Sequence, residues 1–105
     1  MLVYNITFHV EGEMQADFLR FLKEEYVPQA TQRGFVHSPL LHRVLPHAEE
    51  EEGCSYAVQF RVKNADRLNF WIEQEGRALA RRVVERYGSK VVGFTTVLEE
   101  IDLEK

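Results

Sequence analysis

The chain has 105 residues, 45% hydrophobic and 29% charged, proportions that suit one globular domain over residues 1–105 and exclude a disordered or fibrous chain. A formal net charge of −4 argues against a sequence-independent nucleic-acid binder, which needs clustered Lys and Arg to neutralise phosphate. The single cysteine, Cys54, cannot form an internal disulfide, so it reads as a small core hydrophobe in a reducing, cytoplasmic setting. The N-terminus carries no basic n-region and no stretch approaches membrane-spanning length, so neither a signal peptide nor a membrane partner is expected.

Residues Leu2 to Val10 alternate, with Tyr4, Ile6, Phe8 and Val10 on one face and Val3, Asn5, Thr7 and His9 on the other, the period of a strand. A helical period follows in Met14, Phe18, Phe21, Leu22 and Glu25. Pro28 falls inside it and predicts a kink or restart near Tyr26-Val27, because proline lacks the N–H and clashes with the carbonyl four residues back. Arg33-Gly34-Phe35 reads as the helix stop. Residues Pro39 to Pro46 form a strand whose inward face the sequence leaves open, and a proline at each end suits a sheet edge. The run Glu49 to Glu52 with Gly53 reads as a solvated hairpin loop, since consecutive carboxylates do not converge on one ion.

Cys54 to Val62 alternates most strictly, with Tyr56, Val58 and Phe60 on one side and Ser55, Ala57, Gln59 and Arg61 on the other. Asn64 can cap the second helix, whose buried stripe is Leu68, Trp71, Ile72, Leu79, Val83 and Tyr87; Gly76 predicts a bend and Tyr87-Gly88 the end. Phe70 lies off the stripe. A last strand runs from Lys90 or Val91 to about Ile101, with Val92, Phe94, Thr96 and Leu98 opposite Val91, Gly93, Thr95 and Val97. Phe94 is expected in the core.

The order strand, helix, strand, strand, helix, strand predicts an α+β, ferredoxin-like βαββαβ fold with strand order 4-1-3-2 and both helices on one face, of the dimeric α+β barrel type. The face without helices then carries Val3, Asn5, Thr7, His9, Ser55, Ala57, Gln59, Arg61, Gly93, Thr95 and Val97. It is too apolar for a wet surface and too polar for a core, which points to a homodimer. Candidate chemistry on it is sparse. His9 can act as a base and Arg61 can hold an anion, with Asn5, Thr7 and Gln59 as binding residues. If Asn5 lies opposite Gln59, His9 and Arg61 sit about 20 Å apart and cannot share a substrate within one subunit. His37, His42 and His47 recur at odd spacing, so no metal site is expected. No Gly-rich phosphate loop, nucleophile elbow, CxxC or HExxH pattern is present, and no cofactor is expected.

The motifs Tyr4-Asn5 with Thr7, Pro28, Gly34-Phe35, Arg43-Val44-Leu45, Tyr56-Ala57-Val58-Gln59-Phe60, and Phe94 with Thr96-Val97-Leu98-Glu99 make the chain resemble an uncharacterised bacterial family. It is a domain of unknown function found mostly in Bacteroidetes, and the resemblance implies a ferredoxin-like fold but no activity. In that family a histidine often stands two positions before the proline, where this chain has Tyr26. Three functions compete: a small homodimeric binding or interaction module with a small-molecule ligand, an enzyme similar to the cofactor-independent monooxygenases of the dimeric barrel type, which fold analogy alone supports, and a purely structural partner in a larger complex.

Overall fold

The alternating apolar residues of the first and third strands become the floor of the core. In the computed structural model, which describes residues 1–45 and 53–104, the strands are β1 (Leu2–Val10), β2 (Val36–Val44), β3 (Cys54–Val62) and β4 (Val91–Glu99). They form one antiparallel sheet in the order β2-β3-β1-β4, the predicted order read from its other edge. Tyr4, Ile6, Phe8 and Val10 of β1 and Tyr56, Val58, Phe60 and Val62 of β3 are buried under the helices. Asn5 pairs with Gln59, His9 with Ser55 and Val3 with Arg61. Residues 46–52, with His47 and the glutamate run expected as the hairpin loop, lie outside the described residues, as does Lys105.

Each half of the chain places an interrupted helix between its two strands. In the first, α1 (Gln15–Phe21) passes through a π-helical turn, Leu22–Tyr26, and resumes as α2 (Val27–Thr31); in the second, α3 (Ala65–Trp71), a π turn Ile72–Gly76 and α4 (Arg77–Tyr87) follow the same plan. Pro28 explains the first interruption, since it removes one backbone donor and its ring needs the carbonyl four residues back moved aside. The second contains no proline. There Gly76 lies against Trp71, and a Cβ at that position would stand 2.8 Å from the indole ring. Asn64 caps α3 by accepting the Arg67 N–H at 2.9 Å. Gly34 takes the left-handed conformation (φ 78°) that ends the first helix, and Phe35 turns back to meet Phe70 at a ring-centroid distance of 4.9 Å. That contact accounts for the off-stripe Phe70.

Aromatic edges hold the layers together. Trp71 donates its indole N–H to the Ala30 carbonyl at 2.9 Å, joining the two helical segments across the core, and meets Tyr4 edge-on at 5.5 Å. Phe8, Phe18 and Tyr87 form a second chain of edge contacts at 5.0 and 5.2 Å.

Two expectations are corrected. The second strand begins at Val36 rather than Pro39, because a bulge between His37 and Leu40, with Ser38 at φ 54°, absorbs the proline within an edge strand. Of the two faces left open there, Leu41 points to the helices and Leu40, His42 and Val44 to the other side. The faces of β4 are the reverse of those predicted. Thr7 pairs with Phe94 and Ile6 with Thr95, so Gly93, Thr95 and Val97 face the helices while Val92, Phe94, Thr96 and Leu98 lie on the open face. Phe94, expected in the core, is 61% exposed. Apolar residues on both faces of β4 leave the register undefined by pattern, and one residue of slip exchanges the faces. Pairing with β1 decides it, for Phe8 lies against Gly93 so closely that a Cβ there would be 3.1 Å from the ring.

Phe60→Ala should cost about 3–5 kcal/mol in chemical denaturation, the range for a large aromatic removed from a core. Gly76→Ala should destabilise as well. Its helix-propensity gain of about 1 kcal/mol is opposed by overpacking, typically about 1–3 kcal/mol, against an indole fixed by its own hydrogen bond. A raised denaturation midpoint for Gly76→Ala would show that Trp71 yields.

Candidate functional site

The residues singled out on the helix-free face are present there but do not converge. His9 Nδ1 shares a hydrogen bond with Ser55 Oγ at 3.1 Å, and Asn5 donates to Thr7 Oγ1 at 3.0 Å. Arg61 pairs with Glu100 at 2.5 Å. His9 and Arg61 stand at opposite ends of the β1–β3 ladder, six residues apart by register, or about 20 Å. Gln59 lies beside Asn5, whose Oδ1 is buried without a partner among the described residues. His9 also borders a broad open recess with Glu13 and Lys90, whose side chains pair at 2.7 Å. Each holds the other charged: Lys90 lowers the Glu13 carboxyl, and Glu13 raises the Lys90 ammonium. Glu11 lines the recess as well, so it carries two carboxylates against one ammonium.

A different site lies on the helix side, where β4 projects beyond the cover of the helices. A cleft of about 190 Å³ runs between α4 and strands β1 and β4, with Ile6, Phe8, Gly93 and Thr95 on the sheet and Ala80, Val83 and Val84 on the helix. Tyr4, Tyr26 and Trp71 add aromatic rings to its lining. Both helix interruptions open onto it: Tyr26 closes the first π turn, and Gly76 closes the second. Such turns widen the helix and recur at functional sites. Among the described residues no Asp, Glu, His, Lys or Arg lines the cleft.

The four tyrosines divide by what their hydroxyls do. Tyr56 donates to Gln15 at 3.0 Å and Tyr87 to Asp17 at 2.6 Å. The hydroxyls of Tyr4 and Tyr26 find no such acceptor among the described residues, although Tyr26 is only 3% exposed. Burial pushes the Tyr26 phenol far above its ordinary value, with the neighbouring Tyr4 adding to it, and burial raises Tyr4 too. Both phenols therefore remain neutral hydrogen-bond donors at neutral pH. Sequence reading missed this cleft because its residues look like core and helix punctuation. The available signal was the matching interruption of both helices, Pro28 after Tyr26 and Gly76 after Trp71, on the half-repeat that the fold prediction already contained.

These phenols set an alkaline dependence. Desolvation and the Asp17 hydrogen bond push Tyr87 up to about 12, and Tyr26 lies higher still. In the unfolded chain the same groups ionise near 10, so above that pH the unfolded state releases protons that the folded state retains. Folding free energy measured by denaturation should stay level up to about pH 10 and fall as pH rises further, and Tyr26→Phe should make the fall shallower. An unchanged slope in that variant would place the Tyr26 hydroxyl in water.

Among solved structures the chain is similar to a candidate antibiotic biosynthesis monooxygenase from Deinococcus radiodurans, at 16% identity and TM-score 0.71, covering 100% of this chain and 97% of that one. A protein of the EthD family from Bacillus halodurans matches at 14% identity and TM-score 0.70, over 96% and 100% of the two chains. A dimeric ferredoxin-like protein from an uncultured marine organism matches at 13% identity and TM-score 0.59, over 97% of each. At these identities the likeness is one of fold, the ferredoxin-like sheet and helices found also in dimeric α+β barrel proteins. No curated protein matches the chain. The profile of the family described as a domain of unknown function (DUF4286) matches residues 1–101, and the chain belongs to that family.

Proposed function

We propose that this chain is a small homodimeric binding module. Two copies meet through their helix-free faces, and each holds a small molecule in the cleft between α4, β1 and β4. The observation that carries the reading is the cleft itself: an apolar recess, lined by two neutral phenols, at which both helices are interrupted. Packed cores rarely leave such a space unless something fills it.

Dimerisation rests on what the helix-free face exposes. Leu40 and Val44 on β2 and Val92, Phe94 and Leu98 on β4 stand exposed along its two margins, around the smaller Thr7 and Ala57 at its centre. A two-fold contact would reuse this one patch on both copies, and a neighbour of the same fold is dimeric. Phe94 takes the interface place first given to Thr95. Asn5, Thr7 and Gln59 then lie at the centre of the contact, with His9 and Arg61 toward its ends. The fold of the monooxygenase-like neighbours invites an enzymatic reading, but among the described residues no group able to take a proton near neutral pH lines the cleft, so binding is favoured over catalysis.

Light scattering should give twice the monomer mass at micromolar concentration, and Ala57→Arg, which places an unpaired charge in the contact, should halve it. A monomer mass for the unmodified protein would end the dimer reading. For the cleft, ethylbenzene should perturb the fluorescence of Trp71, the chain's single tryptophan, and Ala80→Phe at the exposed wall should abolish that response while leaving the mass unchanged.

A further inference from the structure

From the cleft's size and its polar groups we infer that its ligand is an uncharged single-ring compound carrying a carbonyl, whose oxygen accepts hydrogen bonds from Tyr4 and Tyr26. The inference rests on the binding-module reading and gives its ligand a chemistry. Volume limits the size. At about 190 Å³ the cleft is slightly larger than the roughly 150 Å³ cavity that holds benzene, so it admits one six-membered ring with a short substituent. Most drug-sized ligands need about 300 Å³ or more.

Charge limits the class. Among the described residues the lining contains no ionic partner, so an ammonium or carboxylate would be desolvated there without compensation. Hydrogen bonding sets the remaining feature. Two phenols, one of them nearly inaccessible, border the same cleft and lie close enough for the ionisation of one to oppose that of the other. A ring seated in the cleft takes both hydroxyls out of water, a donor so buried and left unpaired costs about 1–3 kcal/mol, and a carbonyl oxygen has two lone pairs with which to satisfy both. A hydrocarbon of the same shape would leave both unpaired. Gly93, where a Cβ would press on Phe8 at 3.1 Å, and Gly76, where one would collide with Trp71 at 2.8 Å, keep the aromatic walls accessible to a flat ring.

The test compares three probes of nearly one size: acetophenone, ethylbenzene and benzoate. Binding is read from Trp71 emission, and from the amide NMR shifts of Gly76 and Gly93, which carbonyl quenching does not affect. Acetophenone should bind about thirtyfold more tightly than ethylbenzene, the worth of two hydrogen bonds at about 1 kcal/mol each, and benzoate should not bind. Tyr26→Phe or Tyr4→Phe should each remove about half of that preference in free energy and the double variant all of it, while ethylbenzene, relieved of an unpaired hydroxyl, binds at least as tightly as before, which also reports that the variants are folded. Equal binding of acetophenone and ethylbenzene by the unmodified protein would overturn the inference and leave the binding module standing. Tightest binding by benzoate would overturn it as well. Failure of all three probes to shift either glycine would remove the cleft, and with it the module's ligand-binding half.

Discussion

The hydrogen bond from Trp71 to the Ala30 carbonyl is the contact on which the arrangement of this molecule turns. Ala30 lies in the last turn of α2, where carbonyls have no partner within the helix, and the indole supplies one from the other half of the chain. To reach it, Trp71 must lie flat across the core, edge-on to Tyr4 and at 6.2 Å from Phe60, with its ring over Gly76. The restart at Pro28 and the π turn that ends at Gly76 are the backbone adjustments on the two sides of this one contact. The cleft lies next to it.

Outside the core the helices are joined by charge. Arg82 bonds to Gln29 and Glu25, while Arg86 approaches Asp17 and Glu25 at 3.5 Å, and both guanidinium groups lie over the Phe21 ring. The Asp17 carboxyl sits below its usual range, chiefly because Tyr87 donates to it. Such half-exposed pairs contribute little individually, so they align the helices more than they stabilise them. They do, however, occupy the Tyr87 hydroxyl, which leaves the polar reach of the aromatic core to Tyr4 and Tyr26 alone.

The sheet presents two different problems to its surroundings. Its helix side is dry over β1 and β3 but runs out of cover at β4, where Thr95 and Val97 remain exposed. Its open side carries aliphatic and aromatic groups on both margins and polar groups between them. A shared fold leaves function to these local surfaces, and here they differ in kind: a broad open face of mixed polarity, and a small apolar recess beside α4.

The strict alternation of Leu2 to Val10 and Cys54 to Val62 determined the central strands, their inward faces and the fold, because a strand buried on one side can satisfy only one register. Pro28, Gly34 and Asn64 likewise announced a restart, a stop and a cap, since each acts through its own backbone or a neighbour's. Only the tertiary structure decided the faces of β4, for an edge strand apolar on both sides carries no local preference, and the close approach of Phe8 to position 93 is invisible in one dimension. The same holds for the cleft. Tyr4, Tyr26, Trp71 and Gly93 lie far apart in the chain, and each is read locally as core, core, core and strand; the space between them exists only once the helices bend at their π turns and β4 extends past their cover.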